Sequence, residues 1–410
     1  MIEMGLGKTY TGSEKMIQLG ASINLVVCQK SKIDDWCNHF RDNYELSHNM
    51  MIYNCTKWTK SDWLLFSNDV EFKKDAHGQD ITVLVINYEL LWRRPELAEL
   101  KNFTIMLDES SLIQNENSKR SKFILKRLKP TNIILLSGTP TGGKYEKLYS
   151  QLKLLGMKLT KSGFYNTYIE YHYENSLGFP LLVIDGYKNV DRLKRKMREY
   201  GCDFLKTEEV LDLPDQIFTE IKVKPSKEYK KFKKDRVVEL DDITLVGDNT
   251  LTKMLYERQL CAQFSKDKLE AFKDLVESTD DRLIVFYNFN DELFKLSLIA
   301  KTLDKPISVV NGNTKDLTNY EKCSNSITFI QYQAGAMGLN LQLSNKIIYY
   351  SPPLSSELYE QSKKRTNRIG QTRTCYYYNL IVTNSIDEKI YKTLAMRCDY
   401  TNKLFELDEE

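Results

Sequence analysis

FTIMLDES, residues 103–110, is a continuous apolar run that stops on two adjacent carboxylates, Asp108 and Glu109. An uninterrupted run, rather than an alternating one, suits a strand buried on both faces of a parallel sheet. Runs of the same kind recur at INLVVCQ (23–29), TVLVINY (82–88) and NIILLSGTP (132–140). A second group follows at RLIVFYNF (282–289), PISVVNG (306–312), ITFIQYQ (327–333), KIIYYSP (346–352) and CYYYNLIV (375–382). Helical stretches separate the runs, which predicts open α/β sheets with functional loops at the C-terminal strand ends. A chain of 410 residues with two such groups predicts two domains. Residues from about 157 to 270 are richer in charge and poorer in strand runs. The predicted division is a first domain over 1–215, a small helical insertion or linker over 216–270, and a second domain over 271–410.

Composition narrows the function classes. Hydrophobic residues make up 41% and charged residues 28%, ordinary for a globular chain. No apolar run reaches the eighteen or so residues that span a bilayer, and the N-terminus lacks a signal-peptide layout, so the expected location is cytoplasmic, with no membrane partner. The eight cysteines form no C-x-x-C pair and the four histidines show no metal spacing, which argues against zinc and a disulfide framework. A net charge of +3 gives no global case for nucleic acid, but basic residues cluster at 118–129, 191–200 and 227–236. Any one of these runs, taken alone, reads equally well as a solvated helix face.

GLGKT (5–9) has the chemistry of a phosphate loop. Gly5 and Gly7 let backbone N–H groups approach phosphate oxygens; Lys8 reaches the β- and γ-phosphates; the Thr9 hydroxyl ligates magnesium. The full G-x-x-x-x-G-K-[ST] pattern is not met, because Ile2 occupies the first glycine position. Downstream, the carboxylates of LDES fit the loop: Asp108 for the magnesium shell, Glu109 to orient or deprotonate the attacking water. In isolation LDES also reads as a helix N-cap. LSGTP (136–140) is either a plain turn or a relay formed by Ser137, Gly138 and Thr139. QSKKRTNRIGQ (361–371) falls on an expected helix, where Arg365 and Arg368, three apart, share one face. Paired guanidiniums are what an arginine finger requires, although a basic helix end is the simpler reading of that segment alone.

In this order, GLGKT, LDES, LSGTP, AGAMGLNLQ (334–342) and QSKKRTNRIGQ resemble motifs I, II, III, V and VI of superfamily 2 helicases. Within that superfamily the chain resembles the Swi/Snf-type ATPases, the chromatin-remodeller-like DNA translocases, in a compact bacterial or phage form. LVVCQKSKIDDWCNHF (25–40) is similar to motif Ia, VLVINYELL (83–91) to motif Ib, DESSLIQNENSKRSK (108–122) to an extended motif II, FLKTEEVLDLPDQ (204–216) to the stretch linking the lobes and LIVFYNF (283–289) to motif IV.

The resemblance implies an α/β fold of two RecA-like lobes, each a mostly parallel sheet flanked by helices, with a small helical insertion between them. It implies ATP in the cleft and double-stranded DNA across both lobes. Gly5, Leu6, Gly7, Lys8 and Thr9 would bind nucleotide, joined by Gly338 and Gln361; Thr9 and Asp108 would hold Mg2+. Glu109, Arg365 and Arg368 would be catalytic, Ser137, Gly138 and Thr139 would couple nucleotide to movement, and Lys119, Arg120 and Lys122 would meet the DNA backbone. The implied activity is ATP-dependent translocation along duplex DNA by a monomer, with salt-sensitive, sequence-tolerant grip. Two other readings stand beside it: a strand-separating helicase on single-stranded DNA or RNA, and a DNA-binding fragment with impaired ATPase. The sequence departs from the family in three places. Lys364 and Asn367 stand where Asp and His are usual, residues 310–326 form a short connection, and the strand and glutamine motif expected upstream of motif I are reduced to MIEM.

Overall fold

The computed structural model describes residues 6–73, 81–138, 140–176, 179–205, 210–240, 243–335 and 339–405. The chain divides into two compact units, Met1–Val210 with Tyr400–Glu410, and Leu211–Asp399.

In the first unit, β1 (Ile23–Cys28), β2 (Met50–Asn54), β3 (Ile81–Asn87), β4 (Phe103–Asp108) and β5 (Asn132–Leu136) form one parallel sheet in the order β2-β3-β1-β4-β5. Alternate residues of each inner strand serve opposite cores. Leu25, Val27, Leu84, Ile86, Ile105 and Leu107 pack with Trp63, Leu91, Leu97 and Ile124. Val26, Val83, Val85 and Met106 pack with Met16, Trp36, Phe40 and Tyr44. With helices on both faces most strand positions are apolar, so the inner strands read as nearly continuous apolar runs, broken by the buried Asn24 and Thr104. A separate antiparallel hairpin, β6 (Ile169–Ser176) and β7 (Phe179–Tyr187), completes this unit.

The second unit contains β8 (Gln216–Val223), β9 (Val237–Leu240), β10 (Ile243–Val246), β11 (Leu283–Tyr287), β12 (Ile307–Val310), β13 (Lys315–Asp316), β14 (Ile327–Gln331), β15 (Lys346–Tyr349) and β16 (Cys375–Val382). Seven of them form a sheet in the order β13-β12-β14-β11-β15-β16-β8. Every pairing is parallel except that of β13 with β12. The same two-sided division holds. Ile284, Phe286, Ile347 and Tyr349 enter one core; Leu283, Val285, Ile348 and Tyr350 enter the other.

Three features differ from the sequence reading. Residues 216–223, expected in a helical insertion, are β8, paired along its whole length with β16. As an edge strand it is exposed at Gln216–Glu220 and carries no apolar run. The segment after it is mixed rather than helical, because the β9–β10 hairpin stands between the helices Lys227–Asp235 and Thr250–Ala262. β2 and the β6–β7 hairpin also escape the run pattern, since neither is buried on both faces.

Candidate functional site

Gly7 caps the helix Lys8–Gln18 with φ 73°, a left-handed conformation in which any other residue is strained. Leu6 precedes it in a bend; Gly5 lies outside the described residues. The first turn of this helix carries no acidic residue, so no carboxylate of its own offsets the positive end of its dipole. The helix sits tightly on the sheet. A Cβ at Gly12 would stand 2.7 Å from Leu136 Cδ1 and 2.9 Å from Met106 Sδ.

This packing brings the loop to the end of β4. Lys8 Nζ lies 3.3 Å from Glu109 Oε1, and both side chains are largely buried. Glu109 itself has φ 53°, rare for a residue with a side chain and a form of strain concentrated at functional sites. Its other oxygen, Oε2, is buried and has no hydrogen-bond partner among the described residues. Asp108 is the last residue of β4. Its Oδ2 accepts from the Trp36 indole N–H at 2.9 Å, and its carbonyl accepts from the Tyr88 hydroxyl at 2.9 Å. Burial raises the Asp108 carboxyl above the usual carboxylate range and the neighbouring Glu109 charge adds to this; the Trp36 bond and Lys8 oppose it. Thr9 lies in the first turn of the helix, where its carbonyl accepts from the Ser13 hydroxyl at 2.9 Å.

Two residues that the motif reading passed over hold this site together. Trp36 lies on the helix Ile33–Tyr44, with Phe40 and Tyr44 following at i+4 and i+8 on the same buried face. Gln151 accepts from the Ser110 hydroxyl at 2.9 Å and donates to the Pro140 carbonyl at 2.9 Å. It thereby joins LDES to LSGTP through one buried side chain. The only sequence signal for either was position: Trp36 within the motif Ia-like stretch, Gln151 on a helix soon after LSGTP. Ser137 is buried and Gly138 half-buried; Thr139 lies outside the described residues.

Lys119, Arg120 and Lys122 open the helix Lys119–Lys126, capped by Ser118. The Lys119 ammonium sits 4.8 Å from the Trp92 ring centroid, and Arg120 lies 3.6 Å from Glu89. Lys122 is exposed.

In the second unit the helix Ser356–Lys363 ends before the two arginines. The expectation of a shared helical face for Arg365 and Arg368 is therefore corrected. Arg365 is buried at 4% exposure, whereas Arg368 is half-buried and bonds Asn340 Oδ1. Beyond the helix end the carbonyls bond outside the helical pattern. The Arg365 carbonyl accepts from the Leu341 N–H, and the Thr366 carbonyl accepts from Gln371 Nε2. Gln371 Nε2 also donates to the carbonyls of Gln342 and Ser344. The glutamine of R-I-G-Q thus ties its own turn to the GLNLQ loop. Asn367 donates to the Pro214 carbonyl at 3.0 Å. Gln361 is buried on the helix; Gly338 lies outside the described residues. Burial lowers the Arg368 guanidinium below its ordinary range.

All eight cysteines are free, and among the described residues no group of His, Cys, Asp and Glu has the arrangement of a metal cluster. No helix among them is long and apolar enough to cross a membrane.

Two mostly parallel sheets flanked by helices, one with Lys8 set against a carboxylate pair at a strand end, mark a protein of two RecA-like lobes. The SNF2-related domain matches residues 2–266 and the helicase conserved C-terminal domain matches residues 267–370. The chain belongs to the SNF2-related family of superfamily 2 ATPases. It is 24% identical over 351 residues to Bacillus subtilis YwqA, assigned as an ATP-dependent helicase/translocase, covering 77% of this chain and 37% of that one. It is 23% identical to the DNA repair and recombination protein RAD26 of Saccharomyces cerevisiae, covering 98% of this chain and 44% of that protein. The chain thus spans less than half the length of these relatives. Among solved structures, the Sulfolobus solfataricus SWI2/SNF2 ATPase core in complex with dsDNA aligns at 19% identity with a TM-score of 0.40, covering 98% of this chain and 87% of that one.

Proposed function

We propose that this chain is an ATP-dependent translocase on double-stranded DNA, coupling hydrolysis to movement along the duplex. The observation that supports it most directly is the Lys8–Glu109 contact beside Asp108 at the end of β4. A buried carboxylate oxygen with no partner, an ammonium and an acid-free helix N-terminus suit a phosphate chain and a water to be activated. Thr9 and Asp108 supply the hydroxyl and carboxylate oxygens that suit Mg2+. Magnesium, when bound there, would neutralise charge on the phosphates.

In this reading Gly7 and Lys8 hold the phosphates, Glu109 orients the water and accepts its proton, and Arg365 and Arg368 supply positive charge to the transferred phosphoryl. Gln151 links LDES to LSGTP, the path along which Ser137, Gly138 and Thr139 would couple chemistry to movement. Lys119, Arg120 and Lys122 contribute to the grip on the DNA backbone. Family membership and relatives whose names describe translocation and DNA repair support duplex DNA as the track.

ATP turnover measured with and without duplex tests the reading. Stimulation by duplex is expected; absence of stimulation by either duplex or single strands overturns it. Triplex displacement without fork unwinding separates translocation from strand separation. Lys8→Ala is expected to abolish turnover while duplex binding persists, as read by anisotropy.

A further inference from the structure

The helix Lys227–Asp235 has two faces of opposite chemistry. Tyr229 and Phe232 anchor it. Both are buried and pack with Val238, Leu245 and Leu260, and the Tyr229 hydroxyl accepts from the Ile386 N–H at 2.9 Å. Ser226 caps the start through the Tyr229 N–H. The opposite face carries Lys227, Lys230, Lys231 and Lys234, at i, i+3, i+4 and i+7, and all four are exposed. That spacing places them in one stripe along the helix.

Little within the described structure offsets this stripe. Among the described residues, none of its four lysines forms a direct ion-pair contact; Glu228 reaches Lys227, at one end of it, only through space. Residues 224–236 hold seven basic and two acidic residues, an excess of five against a net charge of +3 for the whole chain. Other basic helices carry ion pairs on part of their charge, as Arg120 does with Glu89. Val190–Glu199 pairs Lys196 with Glu199 and Lys194 with Asp191, and Lys266–Glu277 pairs Lys273 with Glu277. Like charges three and four apart destabilise a helix. Here the anchors Tyr229 and Phe232 hold the helix in spite of that repulsion.

We propose that the stripe Lys227, Lys230, Lys231 and Lys234 is an auxiliary phosphate-binding surface for duplex DNA, apart from the helicase motifs. It rests on the translocase reading for the identity of its polyanion. The stripe runs about 10 Å, a length over which a duplex carries about six phosphate charges. It contains only lysine, whose point charge suits backbone phosphates and lacks the fork that reads guanine. It contains no aromatic or aliphatic anchor of the kind that centres a protein interface.

The test is the variant K227Q/K230Q/K231Q/K234Q, with duplex affinity measured by anisotropy between about 50 and 200 mM salt. Four lost phosphate contacts reduce the steepness of log affinity against log salt by about 3.6, and the duplex concentration for half-maximal ATPase rises at least tenfold. Turnover at saturating duplex stays unchanged. The matched variant with four arginines restores the slope, which excludes misfolding as the cause. An unchanged slope overturns the proposal, as does a loss confined to RNA or to a polyglutamate competitor. If the wild-type ATPase ignores duplex but the glutamine variant still loses duplex binding, the translocase reading fails and the stripe stands.

Discussion

Asp108 Oδ2 receives the Trp36 indole N–H, and that bond helps to hold down a carboxyl which burial and Glu109 push up. A hydrogen bond to a charged acceptor contributes about 1.5–3 kcal/mol. In Trp36→Phe the ring stays and the donor goes, so the Asp108 carboxyl rises further. The acid limb of the pH–rate profile is expected to move to higher pH, and the magnesium concentration for half-maximal turnover to rise about tenfold or more. If neither moves, the indole serves packing alone. The candidate carboxylates themselves were legible in LDES, because a strand end is a local feature. Their support was not. Trp36 lies 72 residues before Asp108, and Gln151 lies 41 after Ser110. No local pattern encodes either contact.

The elements that position the loop depend on close contact between helix and sheet. Gly12 lies at the point where the helix Lys8–Gln18 crosses Met106 and Leu136. Alanine is the better helix former by up to about 1 kcal/mol. Its methyl would meet side-chain atoms at 2.7 and 2.9 Å, however, and overpacking of this kind costs about 1–3 kcal/mol. Gly12→Ala is expected to lower the thermal midpoint of the first unit by several degrees and to weaken nucleotide binding by displacing Lys8. A raised midpoint would show that the helix shifts freely. The same scale explains the corrected arginines. Helical periodicity predicts a shared face for residues three apart, but the Leu341 N–H and the Gln371 side chain donate to the Arg365 and Thr366 carbonyls that a continuing helix would use. The turn that results separates Arg365 and Arg368 by depth rather than aligning them.

Across the whole molecule, the two units offer separable stability signals, since all four tryptophans, at 36, 58, 63 and 92, belong to the first. The second unit contains Glu292, fully buried, with Oε2 accepting from the Asn288 and Phe289 N–H groups and the Ser351 hydroxyl, and Oε1 without a partner. Burial pushes its carboxyl from 4.5 to about 7. The folded value lies above the unfolded one, so this group's contribution is greatest below pH 4.5. It falls by up to about 3 kcal/mol as pH rises to about 7, and is constant beyond. Glu292→Gln is expected to flatten the stability of the second unit between pH 5 and 8, measured by circular dichroism in urea, while the tryptophan transition of the first unit is unaffected. A slope unchanged by the substitution assigns the pH dependence elsewhere. The inner strands and the residues at their ends were determined by sequence alone, because burial on both faces favours apolar residues at nearly every position and leaves the charged chemistry at the tip. The tertiary structure alone decided the edge strand β8, the turn that holds the arginines, and the contacts of Trp36, Gln151 and Gln371. These rest on bonds between residues distant in the chain, and such bonds leave no period in the sequence.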